Sequence, residues 1–235
     1  YGIANFVASE LVPVADVVID LHAGGNDDEM IPSLMVHHFD DKSLMKGAID
    51  LLVAFGAPVG VVIDEDSKQG MFDTYVEAQG KLFGCAELGG AGRLTPDTLD
   101  ISKRGIWNVL AHLDMAAQPE WMISQPQKHR TGLFFGPACG EVATPISGFY
   151  EPLKAVGEQV KKGDVFGLIQ NHASPLEDPV EVTAPIDGML FVNCVGGHVN
   201  SGDGLGHVIV EARDVDHLYD ISSQYVSTLA KPSDQ

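Results

Sequence analysis

Four short apolar runs, Ala15 to Leu21, Ser33 to Phe39, Val59 to Ile63 and Lys81 to Ala86, alternate with segments whose apolar residues recur at helical spacing. Runs this short and this continuously apolar read as strands buried on both faces. Between them Leu44, Met45, Ala48, Leu51, Leu52 and Phe55 make an amphipathic helix stopped by Gly56 and Pro58. Ahead of the first run, Ile3, Phe6, Val7 and Leu11 repeat helically until Pro13, and Phe72 to Ala78 form a short helix closed by Gly80. Thr95 and Pro96 suit the N-cap and first position of a last helix, whose expected buried face is Leu99, Ile106, Leu110 and Leu113. Such alternation predicts an α/β domain over residues 1–117, a mostly parallel sheet with helices on both faces.

Residues 118–131, polar and carrying Pro119 and Pro126, read as a linker, after which the composition changes to short β runs punctuated by glycine. A pattern then occurs twice. Pro145, Ile146, Gly148, Val160, Gly163, Asp164 and Gly167 return as Pro185, Ile186, Gly188, Val199, Gly202, Asp203 and Gly206. Two copies of a unit that cannot bury its own apolar face pack against each other, which predicts an all-β barrel-sandwich with pseudo-twofold symmetry over 132–213. It resembles biotinyl and lipoyl carrier domains. A carrier holds a lysine on the hairpin between the halves, but Gln170 to Val180 contains none, so the resemblance extends to fold and not to function. Residues 214–235 are expected to form a tail.

Charge and cysteine content narrow the function. A net charge of −19 over 235 residues repels phosphate backbones and anionic lipid surfaces, which excludes nucleic acid and membrane partners. No stretch is apolar enough to cross a bilayer. Cys85, Cys139 and Cys194 are too few and too scattered for a disulfide framework or a structural zinc site, and point to a reducing, cytoplasmic setting.

The chemistry concentrates at strand ends, where open α/β sheets gather ligands. The segment ADVVIDLHAGG delivers His22 into a glycine-rich loop, and CAELGGAG delivers Glu87 beside Gly89 and Gly90, which leave the backbone open to a substrate. An imidazole able to bind metal and an unligated carboxylate able to take a proton are the pair that metal-assisted hydrolysis requires. Polar residues also end the third run, as Asp64, Glu65 and Asp66. His37 and His38 are secondary ligand candidates, of which strand alternation lets at most one face the site. Cys139 lacks a histidine placed to activate it, Asp27, Asp28 and Glu29 read as a solvated acidic loop, and Met30, Met35 and Met71 as core.

ADVVIDLHAGG, then CAELGGAG, a helix and a barrel-sandwich together resemble the succinylglutamate desuccinylase/aspartoacylase family of zinc deacylases. MIPSLMVHHFDD and GMFDTYVEAQGK fit its N-acetyl-diaminobutyrate deacetylase branch, which acts in ectoine breakdown. The resemblance implies a carboxypeptidase-like α/β fold and hydrolysis of a small N-acyl amino acid, with His22 on Zn2+ and Glu87 as general base. It further implies two more zinc ligands from a His-x-x-Glu element, and an asparagine and arginine motif for the substrate carboxylate, neither of which occurs in this sequence. On that reading the chain is the carboxyl-terminal portion of the enzyme, inactive alone, with an incompletely paired sheet prone to instability or self-association. A homodimer is the default assembly. The rival expectation, from the missing element, is a noncatalytic binding or assembly module.

Overall fold

The computed structural model describes residues 2–64, 71–127 and 129–229. Glu65 and Asp66, expected at a strand end, and the final six residues of the tail lie outside the described residues. Helix α1 (Gly2–Phe6) continues through a π-helical turn at Val7–Leu11 and a 3-10 turn at Val12–Val14 into strand β1 (Val17–His22). Then follow β2 (Asp28–Met30), β3 (Ser33–His37), α2 (Lys42–Phe55), β4 (Val59–Asp64), α3 (Phe72–Glu77), β5 (Leu82–Glu87), α4 (Pro96–His112) and α5 (Glu120–Ser124). The second half comprises β6 (Gly132–Pro137), a 3-10 turn at Ala138–Gly140, β7 (Glu141–Ala143), β8 (Gly148–Pro152), β9 (Gln159–Val160) and β10 (Val165–Gln170). It ends with β11 (Val180–Thr183), β12 (Gly188–Cys194), β13 (Gly197–Val199), β14 (Gly204–Ala212) and α6 (Val215–Leu229).

The elements expected from periodicity are present, and their ends obey local chemistry. Asp41 caps α2 by accepting from the Ser43 and Leu44 amides at 2.8 and 2.9 Å. Gly56, at φ +75°, closes it in the left-handed conformation. Thr95 and Thr98 form a reciprocal capping box on α4.

The main sheet runs β1-β5-β3-β4-β6-β14-β12-β2. The pairs β1–β5, β3–β4 and β4–β6 are parallel, while β3–β5 and β6–β14 are antiparallel. The result is a mixed α/β sheet with a separate antiparallel sheet, β11-β10-β8-β13, in keeping with the α/β and all-β halves expected, the antiparallel pairings of β3 on β5 and β14 on β6 being the departures from an all-parallel order. One face of the main sheet packs Leu34, Val36, Val62, Ala86 and Phe135 against α2, α4 and α6. On the other face α3 covers Phe83 through Val76, and the sandwich covers Val59, Val61 and Phe134 through Met189 and Phe191.

Helix α4 turns a different face inward than its leucines suggest. Leu99 and Leu113 are exposed, whereas Thr98, Gly105 and Val109 are buried. Close approach to α2 decides the rotation, because Gly105 lies against the ring of the fully buried Phe55. The segment expected as a linker contains α5 and is docked. Arg104 stacks over Trp121 at 5.0 Å and donates to the Gln125 carbonyl at 2.7 Å, and Gln127 donates to the Gly56 carbonyl at 2.7 Å. At the composition change, β6 is a strand of the α/β sheet, paired in parallel with β4. Strand β14 then runs unbroken from the sandwich, where it pairs with β7 and β12, into that sheet, where Val210 to Ala212 pair with β6. The expected tail forms α6, with Leu218 in the helical-face core.

The sandwich shows its duplication directly. The Gly163 amide donates to the Ala184 carbonyl and the Gly202 amide to the Thr144 carbonyl, at 2.8 and 2.9 Å, each glycine with φ above +90°. Asp164 and Asp203 accept from the Lys161 and Asn200 amides at equivalent places. No described helix is long and apolar enough to cross a membrane.

Gly105→Ala separates packing from propensity. Alanine favours a helix interior by about 1 kcal/mol, but its Cβ would stand 2.3 Å from the Phe55 ring. Overpacking wins, and urea denaturation of the variant shows a net loss of about 1–3 kcal/mol.

Candidate active site

The parallel pairing of β1 with β5 sets Asp20 beside Cys85 and His22 beside Glu87. Residues two apart on a strand share a face, so the four side chains form a square on the face away from α2, α4 and α6. Strand β3 extends the grid, with Met35 opposite Cys85 and Ser33 opposite Glu87. Beyond the strand ends the two loops lace together: Leu88 donates to the His22 carbonyl, Gly24 to Gly89 and Gly92 to Gly25, at 2.9, 2.9 and 2.7 Å. Gly90 is not open to a substrate as the sequence suggests. A Cβ there would lie 2.0 Å from the Asp28 carbonyl oxygen, so the glycine exists to let β2 pass.

His22 Nε2 stands 2.9 Å from Asp20 Oδ2. The carboxylate fixes the ring and its tautomer and leaves Nδ1 as the lone-pair donor, the arrangement of a metal-binding histidine backed by an acid. Glu87 is largely buried, and burial pushes its carboxyl above the ordinary glutamate range, with the neighbouring His22 pulling it back and Asp20 adding to the rise. Its Oε2 is buried without a hydrogen-bond partner. The Cys85 thiol, 3.9 Å from Glu87 Oε1, is pushed up to about 12 by burial and by the surrounding carboxylates, so it stays protonated and is no nucleophile.

Both His22 and Glu87 line a cavity of about 250 Å³ roofed by the start of α3. His37 lines it too, its Nδ1 held by both oxygens of Glu77 at 2.9 and 2.8 Å. His38 is buried elsewhere, with Asp40 and Asp64 as its charged neighbours and its basicity lowered by burial. Cys139 is exposed. Asp28 and Glu29 belong to β2, and Glu29 pairs with Arg93 at 2.8 Å, so the acidic segment is a strand of the sandwich sheet more than a solvated loop.

Sequence reasoning missed Asp20 and Glu77. The first has a signal, since Asp-x-His on a strand puts acid and imidazole on one face. The second meets His37 from forty residues away, which no local pattern reveals.

Among the described residues no group of three or more His, Cys, Asp or Glu side chains stands ready to hold a metal ion. His22 fits one ligand position through Nδ1, and the set present in this chain is otherwise incomplete for a catalytic zinc.

Residues 2–113 match the succinylglutamate desuccinylase/aspartoacylase catalytic domain. Over that span the chain is similar to this family. It is 36% identical over 209 residues, 89% of its length, to the N-alpha-acetyl-L-2,4-diaminobutyric acid deacetylase of Halomonas elongata. The chain spans 60% of the length of that relative. Among solved structures, a family member from Rhodobacter sphaeroides superimposes with a TM-score of 0.79 at 31% identity, covering 91% of this chain and 64% of that one. The product-bound ectoine utilization protein EutE (DoeB) of Ruegeria pomeroyi gives 0.80 at 30% identity, covering 88% and 62%.

Glu87→Gln tests the electrostatics of the site without any substrate. Folded Glu87 keeps its proton to higher pH than the unfolded chain does, so the native state binds more protons and stability falls as pH climbs past about 4.5. The neutral amide escapes that loss. The variant is expected to be more stable than the parent at pH 8 by about 1 kcal/mol, with the gain vanishing near pH 4, as read by urea denaturation at both values.

Proposed function

We propose that this chain supplies the general base and one metal ligand of a hydrolase that cleaves the amide of a small N-acyl amino acid of the N-acetyl-diaminobutyrate kind. The observation that carries the reading is the register of β1 on β5, which sets a metal-competent imidazole beside a buried, proton-retaining carboxylate. The name of the Halomonas relative supports an N-acetyl amide as substrate.

In this reading His22 offers Nδ1 to zinc while Asp20 holds the far side of the ring. Zinc bound there would polarise the amide carbonyl and acidify a water. Glu87 removes a proton from the attacking water as the water oxygen bonds to the acyl carbon, keeps the proton on its carboxyl, and delivers it to the amide nitrogen as the C–N bond breaks. The products are a carboxylate and a free amine. Burial suits Glu87 to both halves, because a carboxyl raised toward neutrality takes and returns a proton with little loss either way. A catalytic zinc takes three protein ligands, so further donors must come from polypeptide other than the described residues, and the chain alone is inactive on this proposal. Its three cysteines are all unpaired, which supports a reducing, cytoplasmic setting.

Acetate release from N-acetyl-diaminobutyrate and N-acetyl-aspartate by the full-length protein is the direct test. Glu87→Gln should lower kcat by about 10²- to 10⁴-fold with KM changed little; parental rates in that variant would remove the proposed base. Equilibrium dialysis against zinc tests the ligand. Asp20→Asn should weaken binding by about 10- to 100-fold and His22→Ala by more; unchanged affinity in the His22 variant would show that His22 does not hold the ion.

A further inference from the structure

The cavity beside Glu87 extends well past the reacting groups. Its floor is the β3–β5 face, its roof the start of α3, and Met35, Ile63 and Phe72 give it apolar walls. Along the strands its far end lies at His37, two pleats beyond the Ser33–Glu87 row, or roughly 13 Å. There the imidazole is locked by Glu77, with both side chains close to nine-tenths buried, at 13% and 11% exposure. The ring therefore closes the cavity as a fixed wall.

The polar groups along the cavity are unequal. Asp20 is engaged by His22, and Glu87 is committed to proton transfer. Asp73 remains, at the first turn of α3, where one of its oxygens takes the Thr74 amide at 2.5 Å and its charge reaches the Cys85 thiol across the cavity. Among the described residues the lining holds no lysine or arginine.

We infer that this cavity receives the side chain of the N-acyl amino acid, and that Asp73 is the specificity-determining residue that selects a cationic side chain there. The identity of the substrate backbone rests on the deacylase reading; the preference for a cation rests on the cavity itself. Methylenes of the substrate lie along Met35, Ile63 and Phe72, and a terminal ammonium makes a charge-assisted hydrogen bond to Asp73. An acidic side chain in the same place would meet Asp20 and Asp73 at low dielectric with no described cation to answer it. The cavity thus separates diaminobutyrate-like substrates from aspartate-like ones by charge, since their sizes are nearly equal.

The test uses the full-length protein with the N-acetyl forms of 2,4-diaminobutyrate, 2-aminobutyrate and aspartate, and calorimetric binding of the three free amino acids. The first two differ only by the side-chain ammonium. Asp73→Asn should shrink the preference for diaminobutyrate over 2-aminobutyrate by about 10- to 100-fold, through KM and Kd more than through kcat, and Asp73→Lys should turn the preference toward aspartate. Parallel losses on all three compounds, or unchanged ratios, would overturn the assignment. If Asp73→Lys does not fold, the Asn variant decides alone. The two readings fail separately: intact hydrolysis with unaltered ratios sinks the pocket assignment only, whereas selective diaminobutyrate binding that depends on Asp73, without hydrolysis of any amide, sinks the deacylase only.

Discussion

The site depends on one register. Strand β1 lies parallel to β5 with His22 level with Glu87, and because side chains alternate, a slip of one residue would exchange faces along the whole strand. His22 and Asp20 would then enter the helical-face core beside Leu34 and Leu51, while Ile19 and Leu21 would replace them at the cavity. Core packing forbids the slip. Val17 and Ile19 pack on α2's face, and Gly84 sits so close to Leu34 and Leu51 that it keeps β5 in place there. The loop bonds from Leu88 to His22 and from Gly24 to Gly89 extend the ladder past the strand ends, so His22 and Glu87 are held from both sides. The geometry of this pair is a by-product of apolar packing on the opposite face.

The sandwich reinforces that geometry. Strand β2 follows the His22 loop directly and pairs with β12, Asp28 opposite Cys194 and Met30 opposite Val192, and Val195 donates to the Asp27 carbonyl at 2.8 Å. The Asp28 carbonyl accepts in turn from Ala91, in the loop that follows Glu87. A continuous path of backbone bonds therefore joins the sandwich to both loops of the site. In a carrier domain the fold displays a lysine at a hairpin tip; here it is a brace, and the absence of that lysine fits the change of use.

How much of this was legible follows from the range of each interaction. Helix ends were readable because Asp41, Gly56, Thr95 and Pro96 act on neighbours a few residues away. The duplicated turns were readable because each is a local Gly-Asp device repeated. His22 and Glu87 stood out at strand ends next to glycines, and the Asp20 partner was within reach of strand periodicity. The face of α4 was not, because Gly105 earns its buried position from Phe55, fifty residues earlier, while exposed Leu99 and Leu113 follow the helical pattern without meeting the core. A shift to glycine-rich β composition marks the start of the sandwich but not the end of the sheet, since β6 and β14 carry the ladder across it. Local patterns name the elements; contacts across the fold decide which faces meet.

Glu87 shows what the arrangement costs and why it persists. A carboxyl with a buried, unpartnered oxygen destabilises the fold, and the conventional remedy would be a hydrogen-bond donor at that atom. Ser33 stands opposite it in the sheet, equally buried and equally without a partner, so a donor is already nearby but not engaged. Satisfying Oε2 permanently would stabilise the ionised form and lower its affinity for a proton, which removes the property a base and acid in one group needs. The neighbouring His22 already pulls in that direction, and burial outweighs it. On the proposed deacylase reading, a carboxylate left incompletely solvated on a rigid strand is a reservoir kept open for the reaction and not a packing defect.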